Sequence, residues 1–581
     1  SELVQPLLTD LYQFTMAYSY WKNGKHREKA VFEVFFRENP FGGEFALFCG
    51  LQDCLLFLER FAFTQEDLQY LESVLPNTVE REFFDYLGSV DASKVILRSA
   101  PEGSVVFARV PLLEVEGPLL VVQLMETTLL CLVNYARAAK SINLKKRKRF
   151  QLAAESCAPF VFWNLRGQGN WGSGGRANFV PGFDGTSNVL AAKLYGIPVA
   201  GTVGHSYITS FSSLAEVQPR TLRPACEGKP AVDFVSLCLA WLSRVCRFLR
   251  TPEDQVNRSE FAAFIAYAIS FPRNFLVLVD TYSVARYSTA IFLCSKGRAH
   301  HRSRLSHCVS CWPINVLPAF PMMNAINLSG LPVSGVPNFC SVALALGELQ
   351  YQAAGVRLDS GDLSSQSVWI RRTFQACADE FHVPWFHHLS IAISDNISEQ
   401  KLLEINQKEN EISLVGVGTN LVTCTLQPSL GCVYKLVEAN GKPRIKLSED
   451  QGKTTLPGRK CIYRLYDGLG VALLDLITLK EEPSPVAGQQ VACQLLRGHV
   501  EPLNVTAAWV ETLHQDYFRE GRISQPLPSI ATIRTRAATS LNKLGLQHKR
   551  LQNPEPYKVA MTSALSLLLN DLIKADRGSE G

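Results

Sequence analysis

The chain lacks a hydrophobic run long enough to cross a membrane. Its most apolar stretch, Gly117–Val133, is interrupted by Gln123 and Glu126, whereas a membrane helix needs about 18 to 20 consecutive apolar residues. Residues 1–30 also contain no continuous apolar block of the kind that forms the core of a secretory signal. These absences predict a protein that has no membrane association and stays in the cytosol.

The sequence also lacks a strong charge of either sign and a regular spacing of cysteines. Its 58 Lys and Arg and 53 Asp and Glu leave a net charge of +5 over 581 residues, which does not support nucleic-acid binding. The 16 cysteines follow no disulfide-framework spacing, so we predict reduced thiols, as is usual in the cytosol. A P-loop is absent, and so is a dinucleotide-binding glycine motif after a strand.

The sequence does contain a repeated pattern of apolar, β-branched segments that end in polar residues. Near-continuous apolar strands that alternate with helices are typical of a parallel sheet. Polar residues at strand C-termini are typical of the site face of a (β/α) barrel. One such end is more simply explained as a loop, but several in series favour the barrel. The segments are 197–202, 275–279, 353–358, 389–393 and 412–417.

We therefore predict an α/β fold with three regions. Residues 1–136 form an N-terminal α/β sandwich domain, and residues 137–430 form the barrel that carries the site. Residues 431–581 contain short strands and then helices, including one over 557–575, and complete the sandwich. A hydrophobic fraction of 47% in a chain of this length allows two or three such domains with a large core.

One spacing in the barrel region is anomalous. Asp280 and Asp359 are 79 residues apart, although one βα unit takes about 30 residues. Between them, residues 287–333 show no clean period. We interpret this segment as an insertion looped out of the barrel, or as non-coding sequence retained in a gene model.

The stretch Gly355–Leu363 is the most informative part of the sequence. It places Arg357, Asp359 and Asp362 at the end of a predicted strand, and Asp280 follows another strand. Carboxylates beside a glycine turn suit a divalent metal or the hydroxyls of a sugar. The planar guanidinium suits a carboxylate or a phosphate. For each Asp taken alone, a helix cap is an almost equally good interpretation.

His205 follows the segment 197–202 and two glycines, Gly201 and Gly204. A neutral imidazole at such a position suits a base, a ligand or a nucleophile. A structural role is the commoner one for a single histidine. The glycines favour function, because they let a ligand approach the backbone closely.

Two further segments carry weaker signals. Gly418 and Thr419 follow the strand over 412–417 and offer backbone N–H groups and a hydroxyl to a phosphate. Gly-x-Gly often only turns the chain, so this motif alone is weak. Tyr12 lies on an apolar helix. Core packing is the default interpretation, and stacking on the flat ring of a ligand is the more specific one.

Together, several blocks resemble the eukaryotic nicotinate phosphoribosyltransferase family. In order they are TDLYQFTM, VFEVFFRENPFGGEFALFCGL, GFDGTSNVLA, GTVGHS, GVRLDSGDL and GVGTNLVT. The resemblance implies an irregular open α/β barrel of the type II phosphoribosyltransferase kind beside an α/β sandwich. It also implies an enzyme of NAD salvage that joins nicotinate to phosphoribosyl pyrophosphate, coupled to ATP hydrolysis. Nicotinate mononucleotide and pyrophosphate would be the products, and a homodimer with shared active sites would be the assembly.

The same resemblance implies roles for individual residues. His205 would be phosphorylated by ATP. Arg357 and Thr202 would bind nicotinate, with the guanidinium on its carboxylate. Tyr12, contributed by the partner subunit, would stack on the pyridine ring.

The remaining roles concern the sugar phosphate and the metal. Gly418 and Thr419 would hold the 5-phosphate of phosphoribosyl pyrophosphate. Asp280, Asp359 and Asp362 would organise the ribose and a Mg²⁺ or Mn²⁺ ion. Asp359 and Asp362 would be the metal ligands.

Two segments depart from the family pattern. After Ala136 the family continues with an Arg-Arg substrate-binding element, which Arg137–Pro181 does not match, and residues 287–333 have no counterpart. The main hypothesis is therefore an active phosphoribosyltransferase. The alternative is a catalytically impaired isoform that only binds ligand or dimerises.

Overall fold

The computed structural model describes most of the chain, apart from several segments. The described residues are 4–39, 43–134, 185–196, 198–226, 228–282, 334–417, 430–446, 453–497, 502–550 and 553–577. The segments 137–181 and 287–333 lie outside them. The helices of the first 270 residues include Leu11–Lys22, Leu51–Glu59, Gln65–Val74, Arg81–Gly88, Leu119–Leu124, Val189–Tyr195, His205–Thr209, Phe234–Leu249 and Arg258–Ser270. Later helices include Gly335–Glu348, Leu363–Glu380, Glu399–Asn406, Ile530–Asn542 and Ser563–Arg577.

A four-stranded parallel sheet forms the wall of the predicted barrel. Its strands, in spatial order, are Leu414–Val415, Ser390–Ile393, Gly355–Leu358 and Leu276–Leu278. The strands Ser390–Ile393, Gly355–Leu358 and Leu276–Leu278 are mostly apolar and largely buried, as strands covered on both faces must be. Four of the five predicted segments are therefore strands of one sheet, and the predicted α/β class with an open barrel is confirmed.

The fifth predicted strand is wrong. The described part of 197–202 makes only an isolated bridge, in which Val199 pairs with Thr186. The segment is instead held against the helix Leu11–Lys22, because a Cβ atom on Gly201 would lie 3.0 Å from the Cβ of Leu11 and from the backbone nitrogen of Tyr12. Gly201 thus serves the close approach of a helix, rather than of a ligand.

A seven-stranded antiparallel sheet combines strands that are distant in sequence. It brings together strands from residues 29–118, 432–443 and 515–523. Its spatial order is Lys442–Pro443, Cys432–Ala439, Lys29–Phe36, Leu113–Pro118, Ile96–Ser99, Gln515–Arg519 and Arg522–Ile523. The N-terminal and C-terminal regions therefore share one hydrogen-bonded sheet.

A six-stranded sheet lies in the C-terminal region. Its order is Leu503–Thr506, Gln490–Leu495, Val559–Thr562, Ala472–Leu479, Lys460–Tyr466 and Trp509–Thr512. The helix predicted over 557–575 is wrong at its beginning, because Val559–Thr562 pairs between two strands and the helix starts at Ser563. Smaller strands include Ala46–Leu47 with Val105–Val106 and Thr221–Leu222 with Val232–Asp233.

Helices cover the parallel sheet and supply most of the core around the site. Gly335–Glu348 is buried along nearly its whole length and packs against Phe234–Leu249 and Arg258–Ser270. Across the described segments, no helix combines the length and the hydropathy that crossing a bilayer requires.

Candidate active site

Two neighbouring strand ends bring a pair of carboxylates together. Asp280 follows the strand Leu276–Leu278, and Asp359 follows Gly355–Leu358. The Asp280 Oδ2 atom accepts hydrogen bonds from the backbone N–H of Asp359 and from the hydroxyl of Ser360, both at 2.7 Å. Parallel strands end at the same edge, so residues far apart in sequence become neighbours there.

His205 lies at the same edge, at the first position of the short helix His205–Thr209. Its Nδ1 atom is 3.0 Å from the hydroxyl oxygen of Thr281, and its Nε2 atom is 3.4 Å from Oδ2 of Asp359. The structure therefore brings together His205, Asp280 and Asp359, as the sequence predicts.

Burial and charge keep this imidazole neutral. Burial is the largest cause that lowers the pKa of His205 to about 3, and nearby Lys446 and Lys435 act in the same direction. Asp359 opposes them without reversing the shift. At neutral pH the ring therefore has an unprotonated nitrogen that can act as a nucleophile.

The two carboxylates differ in their proton affinity. Burial disfavours the charge on Asp359, but His205, Arg357 and Lys446 together hold its pKa well below the ordinary value. Burial and the neighbouring Asp359 charge raise the pKa of Asp280. The Oδ1 atom of Asp280 is buried and has no hydrogen-bond partner among the described residues, so this carboxylate can accept a cation or a proton.

Arg357 extends the site along the strand that precedes Asp359. Its Nη1 atom donates a hydrogen bond of 2.5 Å to the hydroxyl oxygen of Thr202. Its Nε atom is buried and has no hydrogen-bond partner within the described segments. Because the Thr202 oxygen accepts from Arg357, its own proton stays free to be donated to a ligand. The Arg357 Nε–H group and the Thr202 hydroxyl are thus two donors that suit a ligand group that only accepts hydrogen bonds, such as a carboxylate.

Tyr12 is also close to this region. It lies on the helix Leu11–Lys22, and its Cε2 atom is the nearest neighbour, at 3.5 Å, of a Cβ placed on Gly204. The ring therefore packs beside the loop that leads into His205, within the same chain. The expectation that a partner subunit supplies this ring stays a prediction.

Asp362 lies in a different environment from Asp280 and Asp359. It caps the helix Leu363–Glu380, where its side chain accepts hydrogen bonds from the N–H and hydroxyl of Ser365. Its Oδ2 atom also lies 3.7 Å from Nζ of Lys408. Gly418 and Thr419 lie outside the described residues, so their predicted phosphate role stays a prediction.

Two lysines near the site, Lys446 and Lys435, were not predicted from the sequence. Lys446 is buried, and burial lowers its pKa although Asp359 and Asp280 act to raise it. Lys435 lies on the strand Cys432–Ala439 and acts on the His205 charge. Both residues follow the predicted barrel region in the sequence, and no local motif marks them. For Lys435, the available signal was a Lys within a strand that is mostly apolar.

Comparison with known proteins identifies the family. The chain matches the nicotinate phosphoribosyltransferase N-terminal domain over residues 7–134, the nicotinate phosphoribosyltransferase family over residues 347–487 and its C-terminal domain over residues 459–569. It is 44% identical to nicotinate phosphoribosyltransferase of Rattus norvegicus over 574 residues, which cover 98% of this chain and 97% of the rat protein. This chain belongs to the nicotinate phosphoribosyltransferase family.

Other members of the nicotinate phosphoribosyltransferase family are similar over the same length. The Caenorhabditis elegans protein is 40% identical over 578 residues, 98% of this chain and 93% of that protein. The crystal structure of human nicotinic acid phosphoribosyltransferase is 40% identical, covers 97% of this chain and all of its own, and has a TM-score of 0.47. None of these findings supports the catalytically impaired alternative.

Proposed function

We propose that this chain catalyses the ATP-coupled transfer of phosphoribosyl from phosphoribosyl pyrophosphate to nicotinate. The products are nicotinate mononucleotide, pyrophosphate, ADP and phosphate, and the reaction belongs to NAD salvage. The observation that carries the proposal is the shared strand edge, where a neutral imidazole, two carboxylates and a guanidinium with a free donor lie together. The membership of the nicotinate phosphoribosyltransferase family supplies the identity of the substrates.

The nicotinate carboxylate would bind to Arg357 and Thr202. Among the described residues the Nε donor of the guanidinium has no partner, and the Thr202 hydroxyl proton adds a second donor. A carboxylate accepts hydrogen bonds from both groups. The NH₂ group of an amide is itself a donor and cannot accept from them. Tyr12, contributed by the partner subunit, would supply an aromatic face for the pyridine ring.

His205 would receive the phosphoryl group of ATP. The attacking nitrogen forms the N–P bond while the bond between the γ-phosphorus and the ADP oxygen breaks, and ADP leaves. Lys446 and Lys435 lie near the imidazole and would stabilise the negative charge that arrives. The charged phosphate on His205 would order the groups that hold the sugar phosphate. Hydrolysis of the phosphohistidine can therefore shift the equilibrium of the transfer reaction towards product.

A Mg²⁺ or Mn²⁺ ion would be held by carboxylates of this edge. Asp280 and Asp359 fit this role, because one Asp280 oxygen is buried without a partner and Asp359 stays ionised. Among the described residues no group of three or more His, Cys, Asp or Glu could hold an ion, so substrate phosphates would complete the coordination. The ion would neutralise the departing pyrophosphate. Asp362, which caps a helix, is the weaker candidate ligand.

Three features complete the proposal. Gly418 and Thr419 would bind the 5-phosphate of phosphoribosyl pyrophosphate. The chain would act as a homodimer with shared sites in the cytosol. Nucleic acid and membrane would not be partners, in keeping with the small net charge of +5.

The test is an assay of the purified chain with nicotinate, phosphoribosyl pyrophosphate, Mg²⁺ and ATP. Nicotinate mononucleotide should form. His205→Ala should lose the ATP stimulation and the acid-labile phosphate on the protein but keep a slow ATP-independent rate. His387→Ala, which changes a more exposed histidine near Asp379, is the matched control and should behave like the parent chain. Absence of product from the parent chain would refute the activity.

A second measurement addresses substrate choice. Arg357→Ala should raise the KM for nicotinate by about a hundredfold, because a charge-assisted pair is lost. The KM for phosphoribosyl pyrophosphate should change little. An unchanged nicotinate KM would remove Arg357 from the binding site.

A further inference from the structure

Two helices that lie far apart in the sequence hold the backbone carbonyl of Thr202. Its oxygen accepts a hydrogen bond of 2.7 Å from the hydroxyl of Thr15, on the helix Leu11–Lys22. It accepts a second, of 3.1 Å, from the hydroxyl of Tyr267, on the helix Arg258–Ser270. A carbonyl oxygen has two lone pairs, so both of its acceptor sites are used.

This double anchor lies directly behind the proposed nicotinate donors. The same residue, Thr202, accepts from the Nη1 atom of Arg357 through its hydroxyl oxygen. Thr202 lies in the segment 198–204, which belongs to no strand longer than an isolated bridge. A sheet ladder therefore does not fix its backbone, and side-chain hydrogen bonds must do so.

From these contacts we infer that Tyr267 and Thr15 are positioning residues for the acid substrate. They act through Thr202: holding its carbonyl fixes the direction of its hydroxyl, and the hydroxyl fixes the plane of the Arg357 guanidinium. Tyr267 and Thr15 need not touch nicotinate. The inference rests on the proposed role of Arg357 and Thr202 in nicotinate binding.

Burial and local chemistry favour this role over simple packing. Thr15 and Tyr267 are both buried, with 6% and 2% of their surface exposed. Thr15 Oγ1 also lies 3.0 Å from the carbonyl oxygen of Tyr12, so one hydroxyl contacts the backbone of its own helix and that of Thr202. A purely apolar core would be served equally well by Val at position 15 and Phe at position 267.

The experiment removes each hydroxyl without changing the shape of the side chain. Tyr267→Phe and Thr15→Val should each raise the KM for nicotinate by about three- to tenfold, the effect of one neutral hydrogen bond. The KM for phosphoribosyl pyrophosphate and kcat at saturating nicotinate should change less than about twofold. In a Thr202→Val background, Tyr267→Phe should have no further effect on the nicotinate KM, because the hydroxyl through which it acts is gone.

A matched control separates positioning from general loosening. Tyr434 is a buried tyrosine whose hydroxyl also donates to a backbone carbonyl, that of Val122, at 2.7 Å. Tyr434→Phe should lower stability without raising the nicotinate KM. An equal rise in that control, or a Tyr267→Phe effect that persists with Thr202→Val, would overturn the inference.

The outcomes also separate this inference from the proposed function. If Arg357→Ala raises the nicotinate KM and Tyr267→Phe does not, only the positioning role is wrong. If Arg357→Ala leaves the nicotinate KM unchanged, the nicotinate site itself is wrong, and the positioning role is refuted with it.

Discussion

Buried carboxylates in this chain differ in pKa because of the groups that surround them. Asp359 keeps its charge, since the hydrogen bond with His205 and the cations Arg357 and Lys446 outweigh its burial. Asp10 is more deeply buried, and its partners include the hydroxyls of Thr127 and Ser187, each at 2.8 Å; burial raises its pKa to about 7. Neutral hydroxyls compensate a buried charge less well than cations do.

This contrast predicts how stability depends on pH. The folded pKa of Asp10 lies above the unfolded value, so its contribution is full below about pH 4 and is lost as the pH rises through about 7. Between pH 5 and 8 the parent chain should lose about 2 to 3 kcal/mol of unfolding free energy relative to Asp10→Asn. Urea unfolding of both chains at several pH values measures the difference. Parallel pH profiles would contradict it.

Several site residues could be predicted from the sequence, whereas others could not. Asp280 and Asp359 each follow an apolar strand, so their sequence context signals a strand end, whereas His205 follows an apolar segment that makes only an isolated bridge. Lys446 and Thr15 have no such context. They reach the site through a hairpin pairing and a helix contact, which depend on distant parts of the chain.

At the scale of the secondary-structure elements, the helix Leu363–Glu380 shows how a cap can resemble a metal ligand. Asp362 precedes the helix and accepts from the N–H and hydroxyl of Ser365. In sequence, an Asp after a strand and before a helix fits a cap and a ligand equally well. Only the position of its partners distinguishes the two.

The two roles make different predictions for Asp362. Asp362→Ala should cost about 1 kcal/mol of unfolding free energy, because an N-cap is lost. Asp362→Asn, which can still cap, is the matched control and should cost much less. The Mg²⁺ concentration for half-maximal activity should stay the same in both variants. A large rise in that concentration with unchanged stability would instead indicate a metal ligand.

The strands show why some elements are harder to predict than others. The strand Gly355–Leu358 is largely buried and, apart from Arg357, apolar. Gly355 adopts φ +149°, and a Cβ there would lie 2.0 Å from the carbonyl oxygen of Ser390, a requirement that only the fold reveals. Val559–Thr562 precedes a helix directly, and its strand conformation depends on pairing with Ala472–Leu479 and Gln490–Leu495.

For the molecule as a whole, a buried ion pair connects two of the sheets. Glu33, in the strand Lys29–Phe36, lies 3.1 Å from Nζ of Lys460, the first residue of the strand Lys460–Tyr466, and both side chains are almost fully buried. Lys460 also donates to the carbonyls of Leu456 and Gly458. This pair joins the N-terminal region to the C-terminal region.

Breaking the pair on one side should therefore be costly. Lys460→Met should lower the unfolding free energy by about 3 kcal/mol at pH 8, because the Glu33 carboxylate is left buried without its cation. Burial raises the Glu33 pKa to about 7 although Lys460 lowers it, so this pKa should rise further in the variant and the loss should shrink as the pH falls from 8 towards 7. The double variant Glu33→Gln with Lys460→Met should recover most of the stability. Additive losses, measured by urea unfolding, would show that the two groups act independently.

The contact between Gly201 and the helix Leu11–Lys22 has a practical consequence for protein engineering. The first helix supports a loop that ends at His205, almost two hundred positions downstream. Affinity tags, fusion partners or alternative first exons that alter residues 9–16 would therefore be expected to impair turnover even when the barrel itself is intact. Labels for imaging or purification are better attached elsewhere.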